Sequence, residues 1–537
     1  MMDTLLVGID AACGPVLDPL FEAGSLPALA SLVEDGTSGP LESQLPPWTP
    51  SAWPSLYTGT NPGRHGAYSF LTYDGYDWDV VDAHAVREPS LWELLDAHGL
   101  SSVVVNVPVT CPPATIDGAV VPGFTAPEDP PCHPEGILDD VREAIGEYTV
   151  YGSTEFADAD REERRAEYTA LVRSRGAAFR YLADRFDPDF GFVQFQQSDT
   201  VVHDFPGDRD LLETVYRAID DELDETLAAC DPNLVVVASD HGIGPYDGYE
   251  FCVNEFLRRE GYVETTREGE SPSWVPIWRD NLRADADESA TSVDPSLTTR
   301  ALDTAGAVGL SPARVATLLD RVGLLEAAMR VVPDSVRRQT GANETVDFAA
   351  STAYCRLPVE LGIRLNVAGR EPEGVVDPAQ YESVRAELMT TLRNVETPDG
   401  ELVFESVLPR EEVFHGPELD DAVDIVTVPS EFDHLASARV GGDVFVPPHE
   451  PWNHKRYGFV AVGGPDAPAT NLTDTHLLDV APTVLSSLGV PLSDRMDGDV
   501  LPGFTAPGTE TYPRAAHDSH GRSTAHVKNR LADLGYL

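Results

Sequence analysis

Asp240-His241-Gly242 closes the apolar run Leu234-Val235-Val236-Val237-Ala238-Ser239. A carboxylate beside an imidazole offers one oxygen and one nitrogen to a divalent cation. An apolar run of this kind reads as a parallel strand buried on both faces, and open α/β sheets take their ligands just past the C-terminal ends of such strands. Three further runs carry ligand types in the same way. Leu5-Leu6-Val7-Gly8-Ile9 ends in Asp10, Phe190-Gly191-Phe192-Val193-Gln194-Phe195 is followed by Asp199 and His203, and Tyr457-Gly458-Phe459-Val460-Ala461-Val462 has His454 just upstream. If the segment after Phe195 is helical, Asp199 and His203, four apart, share one face and can grip one ion. Taken singly, each acid is as readily a solvated loop residue or a helix cap. Four ligand sets at strand ends in one chain make coincidence the weaker explanation.

Between the first two sets lies the stretch from Pro46 to Gly66, PPWTPSAWPSLYTGTNPGRHG. Proline fixes φ and glycine allows tight turns, so a rigid loop followed by a short helix is expected. A hydroxyl held there is a candidate nucleophile, and threonine needs a metal or a base to become one. A divalent cation supplies that help and polarises a phosphoryl oxygen. Composition alone would make the stretch a structured loop and nothing more.

These residues resemble the alkaline phosphatase superfamily, and within it the type I phosphodiesterase/nucleotide pyrophosphatase branch, especially its archaeal and bacterial members. The likeness runs through Gly8-Ile9-Asp10, Pro46 to Gly66, Val105-Asn106-Val107-Pro108, Asp199 to His203 and Ser239-Asp240-His241-Gly242. It resumes at Gly362-Ile363-Arg364-Leu365-Asn366, at His454, and at Asp479 to Leu485 with Met496-Asp497-Gly498; residues 245–343 carry almost none of it. The resemblance implies that Asp10, Thr49, Asp240 and His241 hold one metal ion, Thr49 being also the nucleophile, and that Asp199, His203 and His454 hold the other. Two cations about 3.5–4 Å apart clamp the attacking and leaving oxygens of an in-line displacement. Zinc is the expected metal, and the mixed N/O donors also admit manganese. The chain departs from the family at one point. Nucleotide pyrophosphatases carry an Asn shortly after the turn matching Arg64-His65-Gly66, where it holds the phosphoryl group; this chain reads Ala67-Tyr68-Ser69-Phe70.

Other polar residues keep plainer roles. Arg64 and His65 belong to a structural turn, while His133, His415, His434 and His449 lack a partner at ligand spacing and read as surface or cap residues. His476 precedes a helical run and is read as structural. Lys455 and Arg456, beside His454, are candidate anion contacts, and Trp48 or Trp53 can receive an apolar ester group.

The elements that must position these residues follow from periodicity. Strand-like runs near 4–9, 102–107, 190–195, 234–238 and 457–462 alternate with helical patterns near 90–98, 160–185, 209–229 and 479–488. That alternation predicts an α/β fold, a doubly wound, mainly parallel sheet with helices on both faces. Residues 1–245 and 446–505 form the expected catalytic core, and 246–445 an inserted α/β cap that selects substrate. Within the cap, residues 265–350 are acidic and Ser/Thr-rich with a helical part at Pro312 to Arg338; Gly362 to Val367 reads as a strand and Tyr381 to Val395 as a helix. Residues 506–537 form a loose tail ending in a short helix near Val527 to Leu534.

Composition sets outer bounds. The 537 residues include 90 Asp and Glu against 37 Lys and Arg, a net charge of -53, with 42% hydrophobic residues. That charge repels nucleic-acid backbones and anionic membranes, so neither is an expected partner; a small phosphate-ester substrate is what the resemblance implies. An acidic, lysine-poor surface suits concentrated salt, where screening removes self-repulsion; a halophile's cytoplasmic protein is the expectation. Cys13, Cys111, Cys132, Cys230, Cys252 and Cys355 form no Cys-x-x-Cys and read as thiols. The first strand begins within ten residues and no run of about 20 apolar residues exists, so neither a signal peptide nor a membrane span is expected.

A metal-dependent phosphoesterase attacking through Thr49 is therefore the leading reading, with a phosphodiester preferred to a monoester. A sulfatase of the same superfamily needs Cys or Ser in a Cys/Ser-x-Pro-x-Arg setting, which Thr49 does not provide. A cofactor-independent phosphoglycerate mutase would use Ser. No Gly-x-Gly-x-x-Gly follows the first strand, which disfavours a dinucleotide enzyme. A metal-stabilised binding protein without turnover has no need of Thr49.

Overall fold

The computed structural model of the chain describes residues 2–152, 161–267, 271–272 and 344–515. An eight-stranded sheet forms its centre, in the order Thr475–His476, Thr37–Glu42, Tyr457–Gly463, Leu234–Ala238, Thr4–Ile9, Phe190–Phe195, Ser102–Val105, Gly118–Val121. Seven strands run one way, and Tyr457–Gly463 runs against both of its neighbours. Every residue of Thr4–Ile9, Phe190–Phe195 and Leu234–Ala238 is buried, as expected of strands covered on both faces.

Alternation along the first strand shows why both faces are covered. Leu5, Val7 and Ile9 enter one core, together with the helices Gly14–Glu22, Arg161–Phe186 and Arg209–Cys230. Leu6 points the other way, into a core shared with the helices Thr49–Thr58, Leu91–Ala97 and Val480–Ser487. Side chains two apart share a face of a strand, so a run with no polar position is bound to be sandwiched. The doubly wound reading holds. Asn106, with φ +63, ends the strand at Val105 instead of Val107.

Residues 344–446 add a four-stranded sheet, Ala353–Tyr354, Gly362–Leu365, Ile425–Pro429 and Phe404–Pro409, all antiparallel to their neighbours. The helix Tyr381–Arg393 packs on it through Leu388, Met389 and Leu392, in an apolar core separate from the two above. The expected helices at Pro312 to Arg338 and Val527 to Leu534 lie outside the described residues. Thr509–Glu510, in the stretch expected to be loose, pairs with Leu492–Ser493. No single helix among the described residues is long and apolar enough to cross a membrane.

Candidate active site

The antiparallel strand Tyr457–Gly463 starts at the edge where its parallel neighbours end, which brings His454 to the same edge as Asp10, Asp199, Asp240 and His241. The short strand Trp452–Lys455 completes the approach by pairing with Gly242–Pro245, His454 opposite Ile243. Gly242 is required here, because a Cβ would lie 2.1 Å from the Tyr457 carbonyl oxygen. The imidazoles of His241 and His454 then stack with centroids 3.7 Å apart.

The ligand candidates converge. Asp199, His203 and His454 present donor atoms within 4.8 Å of one another, and so do Asp10, Asp199 and His241. Nε2 of His241 is 3.4 Å from Asp10 Oδ1 and 3.3 Å from Asp240 Oδ2. Nε2 of His203 is 3.3 Å from Asp199 Oδ1 and 3.2 Å from His454 Nε2. Asp199 thus stands in reach of both groups, whereas the resemblance assigned it to one.

The other atoms of these side chains are tied back by the protein. Asp10 Oδ2 accepts from Trp53 Nε1 at 3.1 Å and Gln194 Nε2 at 2.9 Å, and Asn106 Nδ2 donates to Gln194 Oε1 at 2.8 Å. Nδ1 of His454 faces the Pro47 carbonyl at 2.8 Å, and Nδ1 of His241 faces the Gly242 carbonyl at 2.9 Å. Each imidazole is thereby set to give its Nε2 lone pair to an ion, the arrangement metal-ligating histidines adopt. What remains without a hydrogen-bond partner among the described residues is Asp10 Oδ1, Asp199 Oδ1, Asp240 Oδ2 and His241 Nε2, all buried. Buried polar atoms rarely stay unpaired, and three carboxylate oxygens with an imidazole nitrogen are a donor set for a hard to borderline divalent cation. The residues fit the metal.

Charge inside the cluster points the same way. Burial, then Asp240 and Asp199, pushes the Asp10 carboxyl well above the usual range, and burial also raises Asp240. Burial would raise Asp199 too, but His203 and His454 hold it below the ordinary value. His203 is pulled down by burial and carried up to about 9 by Asp199, while burial and the neighbouring His241 take His454 well down. A bound cation supplies the positive charge that Asp10 and Asp240 otherwise gain by taking up a proton.

Thr49 is the first residue of a ten-residue helix, Thr49–Thr58, every residue of which is buried. The expected loop followed by a short helix is therefore a helix from Thr49 onward. Pro50 suits its first turn, and Gly59 with φ +65 ends it. Thr49 and Trp53 lie one turn apart on one face, so the helix whose Trp53 binds Asp10 also brings Thr49 to the cavity that Asp199, His203 and His454 line. Gly8 makes room for that indole, since a Cβ would come within 2.5 Å of its ring. Trp53 is fully buried and unavailable to substrate, contrary to the expectation for it.

A cavity of about 600 Å³ opens over Thr49, Asp199, His203 and His454, and Trp48 lines it, stacked on His454 with centroids 5.2 Å apart. Phe70, Phe124, Tyr151 and Leu171 give it a mostly apolar wall. Lys455 and Arg456, expected to meet an anion, are turned elsewhere. Lys455 Nζ binds Asp433 Oδ1 at 2.7 Å and lies over the Tyr246 ring, and Arg456 pairs with Glu42 at 2.6 Å. Among the described residues lining the cavity Arg164 is the sole Arg or Lys, paired with Glu167 at 3.0 Å. His434 and His449, read as surface residues, also line it; His449 Nδ1 is 2.7 Å from Glu250. His65 is structural as read, its Nε2 2.8 Å from Ser55 Oγ and burial lowering it to about 3. Arg64 and His415 both meet Asp497 Oδ1, and His133 Nε2 meets the Ile116 carbonyl.

No curated protein matches the chain. Among solved structures the alkaline phosphatase PafA is similar at TM-score 0.50 and 13% identity, covering 93% of this chain and 98% of that one, which supports the fold. Phosphonoacetate hydrolase from Sinorhizobium meliloti 1021, in complex with phosphonoformate, gives TM-score 0.49 and 17% identity over 89% and 94% of the two chains. Murine ectonucleotide pyrophosphatase/phosphodiesterase 5, in complex with AMP, gives 0.47 and 12% over 92% and 96%. The family model for type I phosphodiesterase/nucleotide pyrophosphatase matches residues 4–309, which include every ligand candidate except His454. The chain belongs to the type I phosphodiesterase/nucleotide pyrophosphatase family and is a hydrolase of phosphate-ester bonds.

Proposed function

We propose that the protein is a two-metal phosphodiesterase in which Thr49 is the nucleophile, Asp10, Asp240, His241 and Thr49 hold one ion, and Asp199, His203 and His454 hold the other. The observation that carries this reading is the group of unpaired buried atoms, Asp10 Oδ1, Asp199 Oδ1, Asp240 Oδ2 and His241 Nε2, beside the cavity that Thr49 lines. When bound, the cations, zinc or manganese, lower the pKa of an oxygen nucleophile and neutralise phosphoryl charge.

The dipole of the helix Thr49–Thr58 favours an anion at its start; Pro50 has no N–H and the Ser51 and Ala52 amides donate to the Trp48 carbonyl, so the Thr49 amide is the first-turn donor left for the phosphoryl group. Thr49 Oγ1 bonds to phosphorus as the bond to the leaving oxygen breaks, and the hydroxyl proton reaches the released alcohol through solvent. Water then adds to phosphorus, the bond to Oγ1 breaks, and Thr49 regains a proton. The apolar wall of Phe70, Phe124, Tyr151 and Leu171, with Trp48, suits a second ester group better than a second negative charge. With Lys455 and Arg456 committed elsewhere and Arg164 paired with Glu167, the side chains add little positive charge beyond the ions for the extra charge of a monoester. The acid excess supports work in the concentrated salt of a halophile's cytoplasm.

Purified protein with zinc or manganese in molar salt should cleave bis-p-nitrophenyl phosphate with higher kcat/KM than p-nitrophenyl phosphate. That ratio compares transition-state stabilisation for the two substrates, and a clear monoester advantage overturns the diester preference. Thr49→Ala should lose several orders of magnitude in kcat and keep its metals; wild-type turnover in that variant rules out Thr49 as nucleophile.

A further inference from the structure

Gln197 opens the helix Gln197–Asp204, two residues before Asp199, and is 4% exposed. Its Oε1 is buried with no hydrogen-bond partner among the described residues, yet the side chain lines the cavity that Thr49 and Asp199 line. Three neighbouring polar side chains around that cavity are taken up by the protein, and Gln196, which also lines it, is more exposed than Gln197. Tyr246 OH donates to the His454 carbonyl at 2.7 Å, Asn453 Nδ2 to Glu450 at 2.6 Å, and Thr200 Oγ1 to the Gln196 carbonyl at 3.3 Å. A buried carboxamide with nothing to bind costs free energy unless a ligand pairs with it.

The stretch where the family keeps its phosphoryl-binding Asn offers no replacement. Ser69 Oγ donates to the Leu71 carbonyl at 3.1 Å and Tyr68 OH to the Glu418 carbonyl at 3.0 Å, while Ala67 and Phe70 have no side-chain donor. Ser198, next to Gln197, donates its Oγ to the Asp10 carbonyl at 2.7 Å. We infer that Gln197 is a catalytic residue that binds the phosphoryl group under attack by Thr49, its Nε2–H donating to a non-bridging phosphoryl oxygen. The unpaired atom is the acceptor Oε1; a half-turn about the soft last torsion exchanges it with Nε2 and turns the two amide donors toward the cavity. Negative charge builds on those oxygens in the transition state, so the bond strengthens there and acts on kcat. The inference rests on the phosphodiesterase reading above.

The test compares wild type with Gln197→Met, which keeps length and apolar bulk, and Gln197→Glu, which keeps shape and replaces donors by charge. With bis-p-nitrophenyl phosphate, Gln197→Met should lose roughly 10²-fold or more in kcat with KM nearly unchanged, and Gln197→Glu should lose more. Inhibition by orthophosphate should weaken by about tenfold or more in Gln197→Met. Metal content and Tm should match wild type, because the carboxamide binds nothing in the protein. Wild-type kcat and orthophosphate inhibition in Gln197→Met, with Thr49→Ala inactive, overturn the role of Gln197 and leave the phosphodiesterase reading standing. Loss of metal or of folded structure in both variants makes Gln197 structural and overturns it equally. An inactive wild type with its metals bound overturns the phosphodiesterase reading itself.

Discussion

Asp10 and Asp424 are the same residue type at the same depth, each fully buried, and they are treated in opposite ways. Asp424, in the second sheet region, accepts from Arg370 Nη1 and Nη2 at 2.6 and 2.7 Å, the Leu365 amide at 2.7 Å and Tyr381 OH at 2.9 Å. Burial would raise it, but Arg370 holds its carboxyl below the usual value. Asp10 has donors on one oxygen and faces Asp240 and His241 with the other, and its carboxyl is pushed well up. Around Asp424 the protein answers each charge with a guanidinium: Arg356 meets Glu360 at 2.6 Å and Arg364 meets Glu371 at 2.7 Å. Burying an acid therefore marks no function by itself. Leaving its oxygens aimed at other acids does, because the answering charge must come from a ligand.

Metal removal should widen that contrast most. Chelation should abolish phosphodiester cleavage, and added zinc or manganese should restore it. Full activity of a verified metal-free sample would show that the unpaired oxygens answer to something else.

Next in size is the pair of aspartates. Asp424→Ala removes the acceptor of two Arg370 N–H groups, the Leu365 amide and Tyr381 OH, leaving Arg370 its 3.0 Å pair with Glu371, and should cost about 3 kcal/mol, read from denaturant unfolding. Asp10→Asn relieves repulsion among acids, so the metal-free protein should keep its Tm while metal affinity falls. If both variants destabilise the metal-free protein alike, the two sites are not different in kind. The sign of the pH response follows for Asp424. Its folded pKa lies below the unfolded value, so its stabilisation is complete above about pH 4 and fades as pH falls through the depressed pKa.

Gln194 tests the donors behind Asp10. Gln194→Leu removes the 2.9 Å bond to Oδ2 and should weaken metal binding by about 10–100-fold, measured by chelator competition. An unchanged affinity would mean that Trp53 alone suffices to orient the carboxylate.

The smallest effect concerns the surface. With 90 acidic residues against 37 basic ones, Tm should fall as salt is diluted below about 0.5 M, where screening becomes incomplete. A Tm independent of salt up to molar concentrations removes the halophile reading.

The strand ends and the candidate ligands at them were legible because a doubly covered strand has no polar position, so Asp10 and Asp240 stand out at the end of apolar runs. Asp199 and His203 were legible from helical spacing alone. Lys455 was misread because closeness in sequence is not closeness in space. In the strand Trp452–Lys455 successive side chains point to opposite faces, so His454 turns into the cluster and Lys455 away from it. Arg456 follows, drawn to Glu42. The donors behind Asp10 gave no local sign: Trp53 and Gln194 meet it only through the packing of a helix and a neighbouring strand, and Gln197 looks like any polar residue ahead of an Asp. The start of the helix at Thr49 was hidden by Pro50 and Pro54, residues that usually argue against a helix, although Pro50 falls where a first turn tolerates it.

The pairing of Trp452–Lys455 with Gly242–Pro245 imposes an order on biosynthesis. Asp10, Thr49, Asp199, His203, Asp240 and His241 leave the ribosome long before His454 does. Until the ribbon closes, Asp10, Asp240 and His241 can come together through the strands ending at Ile9 and Ala238, but Asp199 and His203 lack His454 beside them. A chain cut before Trp452 would therefore offer two members of the Asp199, His203 and His454 group instead of three.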